Sequence, residues 1–563
     1  MRRTFVVQSI FLSCLVFLFL VPNHATAQRP GADPPDEAGL LGDWVGWAYL
    51  DEGGDVPLRL RISRGAEGLN VRFDELVWKR YDLPAELSWR EQHLVVTRQR
   101  PSGTRIVLDG ALEGEVFRGR LTWGSAEGEF DLSRSRQTIS RMAPETFEDL
   151  EGVYRLSPDR SLVVSSRFWG ELLVTDLASG RYATLFPVDA DRFFVGSALY
   201  VPGPIHAWLE FERNDDDVVA SVTWSEVGES AVSGPRTPII EEEIGFQSDG
   251  IRLVGTLLRP EGPGPFPAAV VLPGSDWSER AAGRRDATTL AAFGMAAFIY
   301  DKRGSGESGG EPVVSFRQTA RDAAAALARL ADRADVLSDQ VGFTGRSRGG
   351  WFAPLAATLA PDAAFVVLFV PPAVSPASQE TTRRLNLLRD GGFSSQQIET
   401  ARRMLREAWR YADTGEGWEA YAASRKRAVA AELLEEIFEP ADSADVEWDW
   451  TRLNMAYDPI PALEALRLPV LALFGEHDRN VVVAENLPAM RGALERGGNP
   501  DFELFVVRGA NHGLRASGDP NLPMHQQVGF GSAGWKRVVG WLGDRLDLAE
   551  PAKIRTAPMR EGP

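Results

Sequence analysis

The chain has 563 residues, of which 44% are hydrophobic and 25% charged, so it is a globular protein of several domains. It contains no Gly-x-y repeat and no biased tract, which excludes the fibrous and low-complexity classes. The formal net charge is −18, and a chain this acidic repels phosphate backbones. Since no basic stripe offsets that charge, nucleic acid is not an expected partner.

The N-terminus has the three parts of a secretory signal peptide, which we assign to residues 1–27. A positive pair at Arg2-Arg3 precedes an apolar run from Ile10 to Val21, and Ala25-Thr26-Ala27 supplies small residues for cleavage. The run of about 12 residues is short of the roughly 20 that span a bilayer, so no stable membrane anchor is expected. We expect cleavage before Gln28 and export to the periplasm or the cell exterior, which would change the net charge from −18 to −20.

The single cysteine, Cys14, lies within that apolar run. It would leave with the signal peptide, so the mature protein would contain no cysteine. Disulfides, thiolate catalysis and cysteine-bound metals are then excluded together.

Two β-rich units are predicted at 39–140 and 145–232, after a proline-rich linker at 28–38. Apolar and polar residues alternate in both units, as in Leu58-Arg59-Leu60-Arg61-Ile62, and turn residues separate the runs. This pattern predicts small β-sandwiches or barrels. The acidic segment 214–217 is interpreted as a turn, because no cation-ligand spacing continues beyond it.

The two units resemble each other at their ends. Each opens with a glycine two residues before an aromatic residue, in Gly42-Asp43-Trp44 and in Gly152-Val153-Tyr154. Each has a late strand that ends on a tryptophan, Trp123 or Trp224. We interpret them as related units whose aromatic side chains pack in the cores and do not line a carbohydrate or lipid pocket. They supply none of the motifs below, so we expect them to tune access or attachment and to perform no chemistry.

The pattern changes at about residue 238, and a third domain is predicted to extend to residue 548. Short apolar runs alternate there with helical segments such as 316–334, which predicts a mostly parallel sheet covered by helices on both faces. In such sheets the functional groups lie at the carboxyl ends of the strands. The six predicted strands are 268–272, 295–300, 341–344, 365–370, 470–474 and 502–507.

The third of these strands leads into Gly345-Arg346-Ser347-Arg348-Gly349-Gly350 and then into a helix-compatible segment. This is the G-x-S-x-G pattern in the strand–turn–helix context that it requires. The sharp turn projects the serine hydroxyl, and glycines are needed where a side chain would meet neighbouring backbone. Ser347 is therefore the predicted nucleophile.

A serine nucleophile needs a base, and the base needs an orienting carboxylate. The fifth predicted strand is followed by Gly475-Glu476-His477-Asp478, and the sixth by a turn that contains His512. Asp478 and His512 thus follow Ser347 in the order that this strand arrangement requires.

Other acids and bases lie near these positions in the sequence. Glu476 is an alternative acid, although Asp478 has the better reach past the turn at Gly475. His477 shares the turn of the acid, and His525 lies in a proline-containing loop, so both are less suitable bases than His512.

An oxyanion hole requires two backbone N–H donors. Arg348, which follows the nucleophile, is expected to supply one of them. Ser275 is expected to supply the other, because Pro273-Gly274 after the first predicted strand lets the backbone approach closely. The glycine-rich segment 301–308 lacks the Gly-Lys-Ser/Thr ending of a phosphate-binding loop and is interpreted as a structural turn.

Four ordered motifs together resemble the α/β-hydrolase superfamily: Asp301-x-Arg303-Gly304-x-Gly306-x-Ser308, Gly345-x-Ser347-x-Gly349-Gly350, Gly475-Glu476-x-Asp478 and Asn511-His512. The resemblance covers about 240–548 and is to the branch of bacterial secreted esterases, dienelactone-hydrolase-like and serine-aminopeptidase-like enzymes. It implies an α/β-hydrolase fold and a Ser347–His512–Asp478 triad. The chain departs from many such relatives in having Pro273-Gly274 where they have His-Gly, and arginine on both sides of the nucleophile.

About 100 residues separate the fourth and fifth predicted strands, more than one crossover needs. Ser394-x-x-Gln397 is a capping box that begins a helix with an apolar face, and a second helix is predicted at 418–438. We interpret 376–455 as a helical cap inserted over the active site.

Arg346 and Arg348 flank the nucleophile and admit two interpretations. Both guanidinium groups could pair with carboxylates of the domain, such as those of 301–307. Alternatively, at least one faces the cleft and favours substrates that carry a carboxylate, since a guanidinium group binds a carboxylate bidentately.

The motifs predict a secreted serine hydrolase that cleaves carboxylic esters through an acyl-enzyme intermediate, with no metal and no cofactor. A serine peptidase or aminopeptidase would use the same triad on a short peptide-like substrate. A secreted binding protein with an inactive hydrolase fold is the non-enzymatic alternative, which an intact triad disfavours.

We expect the exported protein to begin at Gln28, because the small residues before it suit signal peptidase. Intact-mass analysis of protein secreted by a host cell measures that terminus directly. Ala27→Arg should leave the precursor uncleaved, whereas a secreted wild-type chain that still begins at Met1 would contradict the assignment.

Overall fold

The structure, a computed structural model, describes most of the chain between Glu37 and Leu548. The predicted signal peptide, nearly all of the linker, Ser275, His525 and the tail at 549–563 lie outside the described residues. The described ranges are 37–50, 55–65, 68–75, 80–90, 93–100, 105–124, 126–166, 171–196, 201–272, 274, 279–312, 315–390, 393–431, 433, 440, 442–445, 447–516, 529–530, 532–546 and 548.

The first β-rich unit is a closed barrel in which each strand pairs with the next and the last pairs with the first, all antiparallel. The predicted alternation is realised: Leu58, Leu60 and Ile62 are buried in the barrel core. Arg59, which alternates with them, forms an ion pair with Asp74 at 2.7 Å. Helix α1 (Glu37–Leu40) precedes strands β1 Gly42–Leu50, β2 Asp55–Gly65, β3 Gly68–Glu75, β4 Arg80–Arg90, β5 His93–Gln99, β6 Arg105–Glu113, β7 Val116–Trp123 and β8 Ala126–Ser135.

The second β-rich unit is also a closed antiparallel barrel of eight strands, and it extends to Thr237 instead of the predicted residue 232. The acidic segment joins two of its strands as a turn, in which Oδ1 of Asn214 accepts the N–H groups of Asp216 and Val218. The strands are β9 Gly152–Ser157, β10 Arg160–Ser166, β11 Leu172–Asp176, β12 Tyr182–Pro187, β13 Arg192–Val195, β14 Ala207–Arg213, β15 Val219–Glu226 and β16 Val232–Thr237.

The two barrels begin with the same side-chain-to-backbone hydrogen bond. The Trp44 indole donates to the carbonyl of Leu40 at 2.9 Å, and the Tyr154 hydroxyl donates to the carbonyl of Leu150 at 2.6 Å. In both cases an aromatic side chain at the start of the barrel core anchors the segment four residues earlier. The aromatic residues Trp44, Trp123, Tyr154 and Trp224 are buried in the two cores, as predicted.

The third domain contains an eight-stranded sheet with the order β17-β18-β20-β19-β21-β22-β23-β24. Strand β18 is antiparallel to both its neighbours, and the remaining pairs are parallel. The strands are β17 Ile239–Ser248, β18 Ile251–Pro260, β19 Phe266–Leu272, β20 Ala296–Tyr300, β21 Val336–Arg346, β22 Val366–Phe369, β23 Val470–Gly475 and β24 Phe502–Val507. A separate pair, β25 Arg515–Ala516 and β26 Gly529–Phe530, follows.

Strands β17 and β18 were not among the predicted strands. The dipeptide Asp249-Gly250 between them has positive φ at both residues, +46° and +76°, as a tight hairpin turn requires. An Asp-Gly pair between two alternating segments is the sequence signal that indicates this hairpin.

Helices cover the sheet, and a helical insertion of α5–α8 lies between β22 and β23, at the place predicted for the cap. The predicted capping box is present, since Ser394 and Gln397 exchange side-chain-to-backbone hydrogen bonds. Helix α7 ends at Ala430 instead of residue 438. The helices are α2 Arg284–Ala292, α3 Phe316–Ala331, α4 Gly349–Leu359, α5 Pro376–Asp390, α6 Ser395–Thr414, α7 Trp418–Ala430, α8 Glu447–Asn454, α9 Ile460–Ala465, α10 Val483–Gly497 and α11 Ser532–Gly543. Within the described parts of the chain, none of the helices is long and apolar enough to cross a bilayer.

The second barrel and the third domain share a hydrophobic core. Val153 and Val163, on β9 and β10, belong to the same buried cluster as Ala287 and Leu290 of α2. Helix α2 also contacts both of these strands directly. The barrel therefore covers apolar surface that the third domain would otherwise expose.

Removal of residues 1–237 should lower the melting temperature of the third domain and cause self-association. The apolar side chains of α2 that meet the barrel would become exposed, at a cost of roughly 1.5–3 kcal/mol for each large one. Scanning calorimetry and size-exclusion chromatography measure the two effects. A monomeric fragment that melts at the temperature of the full chain would contradict the shared core.

Candidate active site

Ser347 occupies the sharp turn between β21 and α4, at the carboxyl end of the sheet. Its φ is +52°, in the left-handed region that costs a non-glycine residue about 1–3 kcal/mol. Its N–H donates to the carbonyl of Phe369 at 2.9 Å, and its carbonyl accepts the N–H of Gly350 at 2.7 Å. A Cβ on Gly345 would lie 2.4 Å from the carbonyl oxygen of Gly349, so this turn requires glycine there.

Two hydrogen bonds join Ser347, His512 and Asp478. Nε2 of His512 lies 3.0 Å from Oγ of Ser347, and Nδ1 lies 2.8 Å from Oδ2 of Asp478. With the ring proton on Nδ1, the imidazole donates to the carboxylate and accepts the serine hydroxyl proton. This is the arrangement of a nucleophile, its base and the acid that orients the base. The structure thus brings the three residues together that the sequence predicted for these positions.

The carboxylate of Asp478 is fixed by backbone donors, and its side chain is 0% exposed. Oδ1 accepts the N–H groups of Asn480 at 2.9 Å and Val481 at 2.8 Å, which leaves Oδ2 for the imidazole. Glu476, the alternative acid, instead accepts the N–H of Gly509 at 2.8 Å. It ties the turn that carries the acid to the turn that carries His512.

The two turns approach each other closely at Gly475. A Cβ there would lie 2.4 Å from the carbonyl oxygen of Asn511, so a larger residue would push the acid away from the histidine. The N–H of His477 donates to the carbonyl of Ala510 at 2.8 Å, which adds a second link between the turns. The ring of His477 lies 3.9 Å from the Glu476 carboxylate and is 42% exposed.

The two backbone N–H groups predicted for the oxyanion hole belong to different segments of the chain. Arg348 is the N-cap residue directly before α4, so its N–H lies at the positive end of that helix. Gly274, beyond β19, lies so near the nucleophile that a Cβ on it would be 3.4 Å from Cβ of Ser347. Ser275 lies outside the described residues, and its role stays a prediction.

Arg346 pairs with a carboxylate, but not with one of the segment 301–307. Its Nε donates to Oδ2 of Asp286 on α2 at 2.9 Å, and its guanidinium carbon lies 4.7 Å from the centre of the Phe369 ring. The two charged side chains are 19% and 14% exposed. The structure therefore supports a structural role for Arg346, and it corrects the expected partner.

The side chain of Arg348 extends to the helical insertion. Its guanidinium carbon lies 4.6 Å from the centre of the Trp450 ring on α8. Burial would raise the pKa of Glu380 on α5, but Arg383, Arg384 and, more weakly, Arg348 hold that pKa at about 2. Arg348 thus links the nucleophile turn to two helices of the insertion, and its contact with a substrate stays a prediction.

The segment 301–308 is a structural turn, as interpreted from the sequence. The carboxylate of Asp301 accepts the N–H of Glu307 at 3.1 Å, so a side chain of the segment itself closes the turn. Arg303 forms a buried ion pair with Asp322 at 2.7 Å. Among the residues that the structure describes, no three His, Cys, Asp or Glu side chains are grouped as a metal site would require.

A model of the X-Pro dipeptidyl-peptidase family (S15 family) matches residues 249–512, which include Ser347, Asp478 and His512. The sheet has the strand order of an α/β hydrolase, with the second strand antiparallel and the nucleophile turn after the fifth strand. The chain belongs to the α/β-hydrolase superfamily. Its third domain, the hydrolase domain, has a site of the serine-hydrolase type.

Individual proteins resemble parts of this α/β hydrolase. A D-aminoacyl-tRNA deacylase of Tolumonas auensis is 31% identical over 111 residues, which are 19% of this chain and 73% of that protein. An α/β hydrolase of Penicillium sp. sh18 is 18% identical, with a TM-score of 0.36, and the match covers 55% of this chain and 99% of the other. A Pyrococcus furiosus esterase is 16% identical, with a TM-score of 0.34, and the match covers 55% and 92% of the two chains.

Two acids were not predicted from the sequence: Asp286, the ion-pair partner of Arg346, and Glu380, whose pKa Arg348 helps to lower. Asp286 precedes its partner Arg346 by 60 residues and lies in no motif. The one available signal was its position on the first helix after β19, which begins near the carboxyl end of the sheet.

Gly345→Ala should reduce labelling of Ser347 by a fluorophosphonate at least about 100-fold, because the new Cβ displaces the turn and misplaces the nucleophile. Gly39→Ala is the control, since a Cβ at that position meets nothing within 4 Å. Labelling of Gly345→Ala at the wild-type rate would contradict the steric argument.

Proposed function

We propose that the protein is an exported serine hydrolase that cleaves small carboxylic esters through an acyl-enzyme intermediate. The observation that carries this proposal is the hydrogen-bonded series from Ser347 through His512 to Asp478 at the carboxyl edge of the sheet. The N-terminal pattern that predicts a signal peptide at residues 1–27 supports export.

The reaction begins when Nε2 of His512 accepts the proton of Ser347 and Oγ attacks the ester carbonyl carbon. The tetrahedral intermediate collapses as the bond to the alcohol oxygen breaks, and His512 donates its proton to the departing alcohol. A water molecule, deprotonated by the same imidazole, then attacks the acyl carbon. The bond to Oγ of Ser347 breaks, His512 returns the proton to Oγ, and the carboxylic acid leaves. Asp478 keeps the imidazole in the correct tautomer and stabilises its charged form.

The negative charge of the intermediate falls on the former carbonyl oxygen. The N–H of Arg348, at the positive end of α4, is one donor for that oxygen, and the N–H of Ser275 is proposed as the other. Neither the formation nor the hydrolysis of the acyl-enzyme requires a metal ion or a cofactor.

A peptidase is the second candidate function, and the match to the X-Pro dipeptidyl-peptidase family favours it. The same triad would then attack an amide carbonyl, and His512 would protonate the departing amine. An inactive binding protein is the remaining alternative, and it is decided by the first experiment below.

Ser347→Ala should reduce kcat/KM for a p-nitrophenyl ester by roughly 10⁴-fold or more and abolish fluorophosphonate labelling. His512→Ala should be comparably damaging. His477→Ala is the matched control and should stay within about twofold of wild type, because its ring makes no bond to the triad. Wild-type turnover by Ser347→Ala, or an unlabelled wild-type protein, would end the proposal.

Matched chromogenic substrates should separate the two candidate functions. We expect kcat/KM for short-chain p-nitrophenyl esters to exceed that for Xaa-Pro p-nitroanilides by more than the intrinsic difference in their reactivity. Efficient cleavage of the anilides, dependent on Ser347, would assign the enzyme to the peptidases instead.

A further inference from the structure

A continuous set of contacts runs from the second barrel to the residue before the nucleophile. Nη1 of Arg285 on α2 donates to the hydroxyl of Tyr182 on β12 at 3.3 Å, and its guanidinium carbon lies 5.5 Å from the centre of the same ring. Nη2 of Arg285 donates to Oδ1 of Asp286 at 3.3 Å. The other oxygen of Asp286 accepts the 2.9 Å bond from Arg346. The Asp286 carboxylate therefore bridges Arg285, which contacts the second barrel, and Arg346, which lies in the nucleophile turn.

The two arginines favour the charged form of Asp286. Burial would raise the pKa of its carboxyl group, but Arg346 and Arg285 outweigh that effect and hold the pKa below its ordinary value. An enclosed carboxylate that loses one of two cations is left with part of its charge uncompensated, which disfavours its buried position beside Arg346.

Arg346 is placed where it can restrain Ser347. Its guanidinium group lies over the ring of Phe369, and the carbonyl of Phe369 accepts the N–H of Ser347. Phe369 thus both accepts the N–H of Ser347 and packs against Arg346, the arginine that is ion-paired with Asp286. A strained conformation persists only where its surroundings over-determine it.

We propose that the second barrel is part of the catalytic unit, and that Tyr182, Arg285 and Asp286 are positioning residues for the Ser347 turn. This inference rests on the proposed serine-hydrolase function. It departs from the expectation that the β-rich units are separable from catalysis. None of the three residues touches the substrate; they act on the rate by fixing the turn through Arg346.

Arg285→Met in the full chain tests the proposal, with Arg284→Met as the matched control. Arg284 lies next to Arg285 on the same helix and pairs with Glu241 at 2.5 Å and Glu151 of the second barrel at 3.9 Å, but not with Asp286. We expect Arg285→Met to lower kcat and the rate of fluorophosphonate labelling by about three- to tenfold, with KM changed by less than about twofold. Arg284→Met should leave kcat within about twofold of wild type. Equal kcat values for the two variants would overturn the proposal.

A second pair of variants tests the contact from the side of the barrel. Tyr182→Phe removes the hydroxyl that meets Arg285 and should lower kcat in the same direction as Arg285→Met. Tyr154→Phe removes a hydroxyl that bonds within the barrel, to Leu150, and should leave kcat unchanged. Unchanged kcat in Tyr182→Phe would show that the barrel does not act on the turn.

These outcomes are distinguishable from failure of the proposed function. If wild-type protein hydrolyses esters and is labelled, but all four variants match it, the positioning role is wrong and the serine-hydrolase function stands. If wild-type protein is neither labelled nor active, the proposed function itself fails.

Discussion

The left-handed backbone of Ser347 is the constraint on which the rest of the active site depends. A φ of +52° projects the hydroxyl from the end of the sheet, and it is stable only because neighbouring elements hold it. Strand β22 holds it through the carbonyl of Phe369, and the first turn of α4 holds it through Gly350. The triad geometry consequently depends on strand β22 and on the first turn of α4. A change in either element should alter the position of the nucleophile.

The candidate triad could be predicted from the sequence because its determinants are local. Gly345 and Gly475 mark places where the backbone must approach other backbone, and each lies at the end of an apolar run. Parallel strands bring their carboxyl ends to one edge, so the order Ser347, Asp478, His512 was sufficient to place the three residues together. The choice of Asp478 over Glu476 followed from reach, and the structure places Asp478 beside the imidazole.

Other features could not be predicted, because they depend on contacts between distant parts of the chain. Alternating residues occur in sandwiches and barrels alike, and only the pairing of β1 with β8 and of β9 with β16 distinguishes them. Arg346 and its ion-pair partner Asp286 are 60 residues apart, and no periodic pattern in the sequence indicates that they meet. The shared core between the second barrel and α2 is likewise invisible in sequence, since an outward-facing valine on a strand is compatible with solvent or with a partner.

The closing strand of the second barrel, β16, ends at Thr237, and β17 of the hydrolase sheet begins at Ile239. All strands of both barrels therefore precede the hydrolase domain in the chain, and each barrel pairs sequence neighbours except at its final closure. Such pairing of sequence neighbours keeps most of the loops that must be closed short, and so limits the entropy lost in closing them. The barrels can be complete before α2 is available. Val153 of β9 and Val163 of β10, exposed in a barrel that has formed alone, would then provide a preformed surface for docking of α2. The order of the domains along the chain thus permits an order of assembly in which the barrels form first.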